Sequence, residues 1–352
     1  MRSLAFCSPK LKLTLLSLMH FVTDGLCSFL IFTRLYPDNP DKAILVFFLY
    51  NILAFVTQSP IGLLIDKYNK PKLFLVISIL AMLLGYAFSC AWLLSVIFVG
   101  ISNSIFHVAG GKYVTDKSGN DISHLGIFVS TGAIGLVLGQ RYFSFCFLPY
   151  IFFGILFVCV SLFLFSSDSE TKEYTDEYSD SKTSTVALFA VIAVVAIRSF
   201  VGKVASPDFT PAGHFFLILS ISTALGKAAG GICSKYFGIR PTTYFSMAIA
   251  AVCMTLGAAN PIAFTIGIFA FNFTMPITLY YANVMLKGSE GFAFGTLAAI
   301  LVPGYFIAIA FTYTVSMRIF TAMLCIASML TITILSKKIK KNDRSFSFNC
   351  NS

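Results

Sequence analysis

Charged residues are scarce in this sequence. They make up 11% of its 352 residues, whereas a soluble domain carries about 25%, and apolar residues make up 57%. A soluble chain of this composition would have too little charge to cover its surface. The 25 Lys and Arg exceed the 15 Asp and Glu, which on a soluble chain would suggest a nucleic-acid partner. Here the basic residues fall in short gaps between long apolar runs, which indicates a lipid bilayer as partner and no nucleic acid.

Motifs typical of secreted domains and ATP-driven pumps are missing. The nine cysteines include no Cys-x-x-Cys pair, and most lie inside or beside apolar runs, which is typical of small apolar residues rather than of a disulfide framework or a metal site. No Gly-Lys-Ser/Thr loop occurs, which argues against an ATP-driven pump. The nearest approach to a catalytic or metal constellation is His20-x-x-x-Asp24, and its depth in a span and its lack of ligand-spaced partners count against an enzyme. We expect no enzymatic activity, no metal and no cofactor.

Long apolar runs alternate with short polar gaps along the whole sequence. A bilayer core about 30 Å thick takes roughly 20 apolar residues per helix. The first run is too long for a signal peptide and lacks a small-residue cleavage site, so we expect a membrane helix there. We predict twelve spans, with ten or eleven as alternatives: 12–33, 43–65, 73–90, 92–113, 122–141, 143–165, 185–204, 212–234, 241–258, 261–286, 291–314 and 317–336.

Lys and Arg accumulate in alternate gaps between these spans. Eighteen fall on the side that carries both termini and six on the other side. Because basic residues collect in cytoplasmic loops, this distribution predicts both termini in the cytoplasm. We expect a multi-pass protein of the plasma or inner membrane.

The sequence divides into similar halves. An acidic stretch at 166–184 predicts a solvated linker after the sixth span. Asp66-Lys67-Tyr68 recurs as Ser234-Lys235-Tyr236, and Gly126, Thr131 and Gly139 recur as Gly291, Thr296 and Gly304 at nearly the same offset. Such a repeat indicates a duplicated six-helix unit. The predicted domains are an N-terminal bundle (1–165), the linker (166–184), a C-terminal bundle (185–336) and a basic cytoplasmic tail (337–352).

The segment from Gly62 to Lys72 resembles the loop motif G-x-L-x-D-R/K-x-G-R-R/K of the major facilitator superfamily. Asn69 stands where Gly is usual, and Asn tolerates the left-handed conformation better than other non-Gly residues. The resemblance implies an all-α membrane protein with twelve transmembrane helices in two pseudo-symmetric six-helix bundles. It also implies that Asp66 accepts hydrogen bonds from the start of a neighbouring helix and from Lys67, Lys70 and Lys72, and so locks the cytoplasmic side.

A narrower similarity lies in the first half. His20-x-x-x-Asp24 and the segment Ser104-Ile105-Phe106-His107 are similar to the fosmidomycin-resistance type of facilitator, with Val108 and Ala109 in place of its Pro and acidic residue. This similarity implies export rather than uptake.

Ionisable side chains inside a span are costly and are therefore candidate functional residues. Asp24 lies near the middle of the first span, and His20 precedes it by one turn on the same face. Arg198 lies at a similar depth in the seventh span, which is the counterpart of the first span in the superfamily's fold. We hypothesise that Asp24 and Arg198 face each other across a central cavity. A purely structural ion pair is the alternative.

Two asparagines and a histidine lie in the fourth and tenth spans. Asn103 and His107 stand four residues apart on one face of the fourth span, and Asn272 occupies the repeat position of Asn103. A histidine titrates near neutral pH, so His107 is a candidate proton carrier. A neutral histidine that bonds a neighbouring helix is the equal alternative.

Glycines at close spacing predict tight helix packing. Gly132, Gly135 and Gly139 lie in the fifth span and Gly226 and Gly230 in the eighth, and small residues let helices approach closely. The superfamily's fold implies that the fifth and eighth helices cross.

These features together predict a secondary transporter for a small organic solute, working by alternating access. Asp24 and His107 are the candidate proton carriers, and Arg198 is the candidate contact for an anionic solute. Export by antiport is favoured over uptake, and we expect a monomer. A proton-independent facilitator, an uptake symporter and a non-transporting receptor stay open as alternatives.

Overall fold

The computed structural model describes residues 9–141, 147–166, 181–205, 207, 209, 213–256, 259–311 and 314–349. Most of the acidic stretch predicted as a linker, residues 167–180, lies outside these residues. So do residues 350–352 of the predicted tail. In the described part of the chain, every long element is a helix.

The helices follow the apolar runs of the sequence. We number them in chain order: α1 Pro9–Asp38, α2 Pro40–Tyr68, α3 Pro71–Ala87, α4 Trp92–Ser118, α5 Ile122–Arg141, α6 Leu148–Phe165, α7 Ser181–Val204, α8 Phe215–Phe237, α9 Ile239–Thr255, α10 Pro261–Met285, α11 Glu290–Ile309 and α12 Val315–Asn349.

Ten of these helices are long and apolar enough to cross a membrane. The helices α3 and α9 are shorter, with 17 residues each. The predicted boundaries agree with the structure to within a few residues for most spans, and Ile122–Arg141 matches 122–141 at both ends. The chain is a multi-pass integral membrane protein.

Local sequence explains where the helices begin and end. Proline at the first turn begins several of them, because that position needs no backbone N–H donor. Asn260 caps α10 with its side-chain oxygen, 2.9 Å from the nitrogen of Ile262 and 3.1 Å from that of Ala263. Asn69 ends α2 in the left-handed region with φ at 48°, as predicted from its place in the loop motif.

Four of the membrane helices are interrupted near their middle, among them α2 at Thr57. The helix α5 breaks at Thr131 and α11 breaks at Ile300. The sequence predicts a kink at Met275-Pro276 in α10, and the interruption lies just before it, at Asn272 and Phe273. Proline has no N–H to donate to the carbonyl four residues earlier, which for Pro276 is that of Asn272.

The chain packs as two compact units. The first contains Met1–Ser118, Ile127–Thr171 and Gly288–Ala299, and the second contains Gly119–Gly126, Lys172–Lys287 and Ile300–Ser352. Each half of the sequence therefore contributes a short segment, the start of α5 or of α11, to the unit formed mainly by the other half. The domain boundaries given above stay a prediction.

The glycines of α5 pack on two different helices. A Cβ on Gly135 would overlap the carbonyl oxygen of Phe21, and one on Gly139 would overlap that of Gly25, so this face of α5 packs on α1. Gly132 lies on the same side. The expected crossing with α8 lies at Gly126, where a Cβ would be 3.1 Å from the Cα of Gly231. Six residues separate Gly126 from Gly132, which turns a helix by about 240° and explains the change of partner.

Two of the α8 glycines, Gly226 and Gly230, face α10, whereas Gly231 makes the contact with Gly126 of α5. A Cβ on Gly226 would overlap the carbonyl oxygen of Phe269, and one on Gly230 would lie 2.5 Å from the Cα of Phe273. Spacing in the sequence identified these positions as close-packing, but it carried no information about which neighbour each face meets.

Candidate functional site

Three ionisable side chains meet in the first unit. The Nε2 atoms of His20 and His107 lie 2.9 Å apart. A carboxylate oxygen of Asp24 lies 3.3 Å from Nε2 of His20, and the other lies 3.4 Å from Nε2 of His107. We call these three residues the His–Asp cluster. The sequence indicated no further ligand-type residue beside His20-x-x-x-Asp24, and that expectation is wrong, because α4 brings His107 to the pair.

Backbone carbonyls fix the orientation of both imidazole rings. Nδ1 of His20 lies 2.7 Å from the carbonyl oxygen of Phe128, and Nδ1 of His107 lies 2.9 Å from that of Asn103. Because a carbonyl oxygen only accepts, each Nδ1 carries a hydrogen. In a neutral ring the other nitrogen, Nε2, is then an acceptor. The cluster therefore brings two nitrogen lone pairs and a carboxylate together.

Apolar rings and a close helix shield the His–Asp cluster from solvent. The side chains of His20, His107 and Asp24 are 5%, 12% and 14% exposed. The ring of His20 lies 5.0 Å from that of Phe128, measured between centroids. A Cβ on Gly132 would overlap the Asp24 carboxylate and lie 2.8 Å from Cδ2 of His20, so α5 must carry glycine at this position.

Asn103 joins the cluster from α4, as its shared face with His107 predicted. Its Nδ2 donates to a carboxylate oxygen of Asp24 at 3.2 Å and contacts Sγ of Cys27 at 3.4 Å. Among the described residues, its Oδ1 is buried and has no hydrogen-bond partner. A buried amide oxygen of this kind costs free energy unless something satisfies it.

Arg198 and Asn272 belong to the second unit. A guanidinium nitrogen of Arg198 donates to the hydroxyl of Thr278 at 3.1 Å. Asn272 donates to the carbonyl of Ile268 at 2.8 Å, where the first segment of α10 ends. Asp24 belongs to the first unit, and its pairing with Arg198 stays a prediction.

The carboxylate of Asp66 caps the start of α11. It accepts the backbone N–H of Gly291 at 2.9 Å with one oxygen and that of Phe292 at 2.8 Å with the other. The first four N–H groups of a helix have no partner inside it, so a carboxylate here satisfies two of them and complements the helix dipole. Gly62 permits this approach, since a Cβ there would lie 2.7 Å from the nitrogen of Phe292.

The cation beside Asp66 is Lys112, one of the eighteen basic residues assigned above to the cytoplasmic side. Its Nζ lies 3.3 Å from Asp66, 3.2 Å from Asp116 and 3.1 Å from Glu290. All four side chains are mostly buried. No sequence signal separated Lys112 from the other lysines, because the positive-inside rule explains it equally well.

The loop lysines expected to bond Asp66 lie elsewhere. Lys67 and Lys70 are exposed. Lys72 donates to the carbonyl of Ser166 at 3.3 Å and lies 5.6 Å from the ring centroid of Phe163. The part of the prediction that assigned these lysines to Asp66 is therefore wrong, because a lysine on α4 already fills the buried side of the carboxylate.

A related arrangement occurs in the second unit, at the start of α5. Asp121 accepts a hydrogen bond of 2.6 Å from Lys235, which is the repeat of Lys67. It also accepts from the hydroxyl of Ser123 at 2.6 Å and from the Ser123 backbone N–H at 2.9 Å. Partial burial raises the pKa of Asp121, but the hydrogen bonds from Lys235 and Ser123 outweigh it and lower the pKa to about 2.

Solved structures of transporters share this architecture. The chain is similar to the fucose:proton symporter of E. coli, with 12% identity, a TM-score of 0.67 and coverage of 93% of this chain and 99% of that one. It is also similar to a bacterial homologue of the iron transporter ferroportin in an outward-facing state, with 15% identity, a TM-score of 0.60 and coverage of 95% and 100%. The symporter is described as a major facilitator superfamily transporter. The chain has the major facilitator fold.

The likeness is one of structure and not of sequence. No protein-family model matches the chain. No curated protein matches it either. At these identities the structural likeness establishes the fold alone, and the similarity to the fosmidomycin-resistance type stays a prediction.

Proposed function

We propose that this protein is a secondary active transporter that moves a small organic solute across the membrane by alternating access, coupled to protons. The fold it shares with known transporters and its ten apolar spans support this proposal. The shorter helices α3 and α9 complete twelve spans in two six-helix bundles. The distribution of Lys and Arg supports cytoplasmic termini and a place in the plasma or inner membrane.

The single observation that carries the proposal is the buried His–Asp cluster. Ionisable groups inside apolar spans are costly, so three of them in contact favour a function. Two imidazoles and a carboxylate whose acceptor atoms face each other form a proton-binding site. A fucose:proton symporter among the structural neighbours supports the same coupling. A receptor that had lost transport would have no use for such a group.

Two other residues, Arg198 and Asp66, are assigned roles in the proposed transport cycle. Arg198, bonded only to a hydroxyl among the described residues, supports an anionic solute. Asp66 at the start of α11 supports a lock that holds the cytoplasmic side closed. Breaking and remaking such a contact is how binding of proton and solute would shift the balance between inward and outward states. Export by antiport is the direction we favour, and we expect a monomer to suffice.

The test uses purified protein in liposomes that contain a trapped pH dye. A proton gradient is imposed, and organic anions, amphiphilic cations, sugars and amino acids are added in turn. We expect a solute-dependent proton flux that falls to the level of protein-free liposomes in Asp24→Asn. The exposed Asp41 provides the matched control, because Asp41→Asn removes the same charge away from the cluster.

The outcomes separate the alternatives. Solute movement that ignores pH and survives Asp24→Asn would leave a facilitator and contradict the proton coupling. No solute movement in a correctly folded preparation would favour a receptor. The sign of the proton flux on adding solute distinguishes antiport from symport.

A further inference from the structure

The geometry of the His–Asp cluster fits a second ligand besides a proton. We propose that His20, Asp24 and His107 bind one divalent first-row transition-metal ion, of the Zn²⁺, Co²⁺ or Mn²⁺ type. The ligand atoms are Nε2 of each histidine and a carboxylate oxygen. All three lie within 4.8 Å of one another. The proposal of metal binding stands on this geometry; its part in transport rests on the proposed function.

The spacing of the three atoms matches a metal coordination shell. Metal–nitrogen and metal–oxygen bonds of about 2.1 Å put the ligand atoms of a tetrahedral site about 3.4 Å apart. The observed separations are 2.9 Å between the two Nε2 atoms, 3.3 Å from Nε2 of His20 to one carboxylate oxygen of Asp24, and 3.4 Å from Nε2 of His107 to the other oxygen. An ion between the two nitrogens and the carboxylate reaches both rings and one or both carboxylate oxygens after a small rotation of the carboxylate.

The hydrogen bonds around the rings suit a metal ion as well as a proton. The two Nε2 atoms and the carboxylate oxygens face each other as acceptors, and one cation between them interacts with all three side chains. Each Nδ1 is held by a backbone carbonyl, of Phe128 for His20 and of Asn103 for His107. This is the outer shell that orients histidine ligands in metal sites.

Asn103 supplies an independent sign that the cluster can hold a cation. Its Oδ1 is buried and without a partner among the described residues, while its Nδ2 lies 3.2 Å from the Asp24 carboxylate. Rotating the amide by 180° exchanges these two atoms and turns the oxygen toward Asp24. Two oxygens facing each other need a proton or a metal ion between them. The rotated amide would therefore favour a cation bound to Asp24.

The ligand set determines which ion fits. Two imidazoles with one carboxylate suit Zn²⁺ and its neighbours, whereas Mg²⁺ and Ca²⁺ prefer oxygen ligands throughout. Three protein ligands leave coordination positions open for water or for an anionic group of a solute. Such an ion exchanges more readily than one in a closed structural site, as a transport cycle requires.

Metal binding is tested on detergent-purified full-length protein that carries no polyhistidine tag and has been treated with a chelator. Isothermal titration with Zn²⁺ is expected to give one site, and Mg²⁺ none. Titration with Co²⁺ is expected to give a visible absorption band typical of nitrogen ligands. In His107→Gln and in Asp24→Asn we expect at least about 100-fold weaker binding, since loss of an outer-shell partner alone costs 10- to 100-fold. The exposed His214 is the control, because His214→Gln removes a histidine away from the site.

The outcomes decide between a site and surface binding. No Zn²⁺ binding by folded wild-type protein overturns the proposal, as does Zn²⁺ binding that survives His107→Gln but is lost in His214→Gln. If the variants do not fold, the wild type still decides: a rise in its unfolding temperature with Zn²⁺ and a Co²⁺ band from nitrogen ligands support the site, and the lack of both overturns it.

A liposome flux measured without metal separates this inference from the proposed function. Solute-dependent proton flux in chelator-treated liposomes, without Zn²⁺ binding, overturns the metal site alone. Zn²⁺ binding at the cluster without any flux supports the site and overturns the transporter.

Discussion

The cap that Asp66 places on α11 makes a quantitative prediction about two backbone amides. Gly291 and Phe292 are among the first residues of their helix, so their N–H groups have no partner inside it. Asp66 supplies both partners, at 2.9 and 2.8 Å. Asp66→Asn leaves a single carbonyl oxygen and turns an NH₂ group toward a second donor. One hydrogen bond is then lost, and the other loses its charge.

The size of the effect follows from these two bonds. A hydrogen bond to a charged group contributes about 1.5–3 kcal/mol and a neutral one about 0.5–1.5 kcal/mol. Losing one charged bond costs about 1.5–3 kcal/mol, and the loss of charge at the other costs about 1–1.5 kcal/mol, so the substitution should cost the closed state of these amides about 2.5–4.5 kcal/mol. At about 1.4 kcal/mol per factor of ten, their hydrogen exchange should be roughly 60- to 1,600-fold faster.

Residue-resolved hydrogen exchange by mass spectrometry measures this directly. Ala293 is the internal control, because its N–H bonds the carbonyl of Ser289 and does not depend on Asp66. Asp116→Asn is the matched variant, because Asp116 shares Lys112 with Asp66 at 3.2 Å. Unchanged exchange at Gly291 and Phe292 in Asp66→Asn would refute the cap. Equal acceleration at Ala293, or in Asp116→Asn, would mean general loosening of the cluster instead.

Two further predictions concern α5 and the residue that precedes it. Gly132→Ala places a methyl group against Asp24 and His20. We therefore expect a lower unfolding temperature, equivalent to about 1–3 kcal/mol, and loss of proton-coupled flux. Gly154→Ala is the control and should change neither, because a Cβ there meets nothing within 4 Å. For Asp121 the folded pKa, about 2, lies below the ordinary value of 3.8, so its stabilising contribution is complete above about pH 4 and is lost as the pH falls through 2. The difference in unfolding temperature between wild type and Asp121→Asn should accordingly vanish between pH 5 and pH 2, and a constant difference would contradict the pairing with Lys235.

Features set by local sequence could be predicted from it. Apolar run length located the spans, because the bilayer fixes how many residues a helix needs. The left-handed Asn69 followed from its place in a loop motif where Gly is usual. The sequence repeat that matched Gly126 with Gly291 has a structural counterpart. Gly126 lies against Gly231, and Gly291 lies against Gly62, each on another helix of its own unit.

Features that depend on how helices are rotated against each other could not be predicted. Periodicity placed His20 with Asp24 and Asn103 with His107 on shared faces, but it says nothing about which faces meet. The contact between the two histidines, and hence the third ligand atom, needed the packing of α1 on α4. Likewise, Lys112 and Lys67 are equivalent in a count of basic residues, and only the buried position of Lys112 shows which one pairs with Asp66.

The capped helix and the His–Asp cluster are joined by continuous packing within the first unit. Phe294, on the first turns of α11, packs its ring on Gly111 and lies 6.3 Å from the ring of Phe128, measured between centroids. The carbonyl of Phe128 holds Nδ1 of His20 at 2.7 Å. Removal of α11 from Asp66 would therefore withdraw Phe294 from the residue that orients one ring of the cluster.

The helix α4 makes a second connection between the same two places. It carries His107 and, five residues later, Lys112, about 7.5 Å further along its axis. A cation that draws His107 toward His20 and a carboxylate that holds Lys112 thus act on one rigid element. Two sites that bias the same element are coupled in free energy, and the coupling is reciprocal. In the transport cycle proposed above, occupancy of the cluster and release of α11 would then be two readouts of one equilibrium.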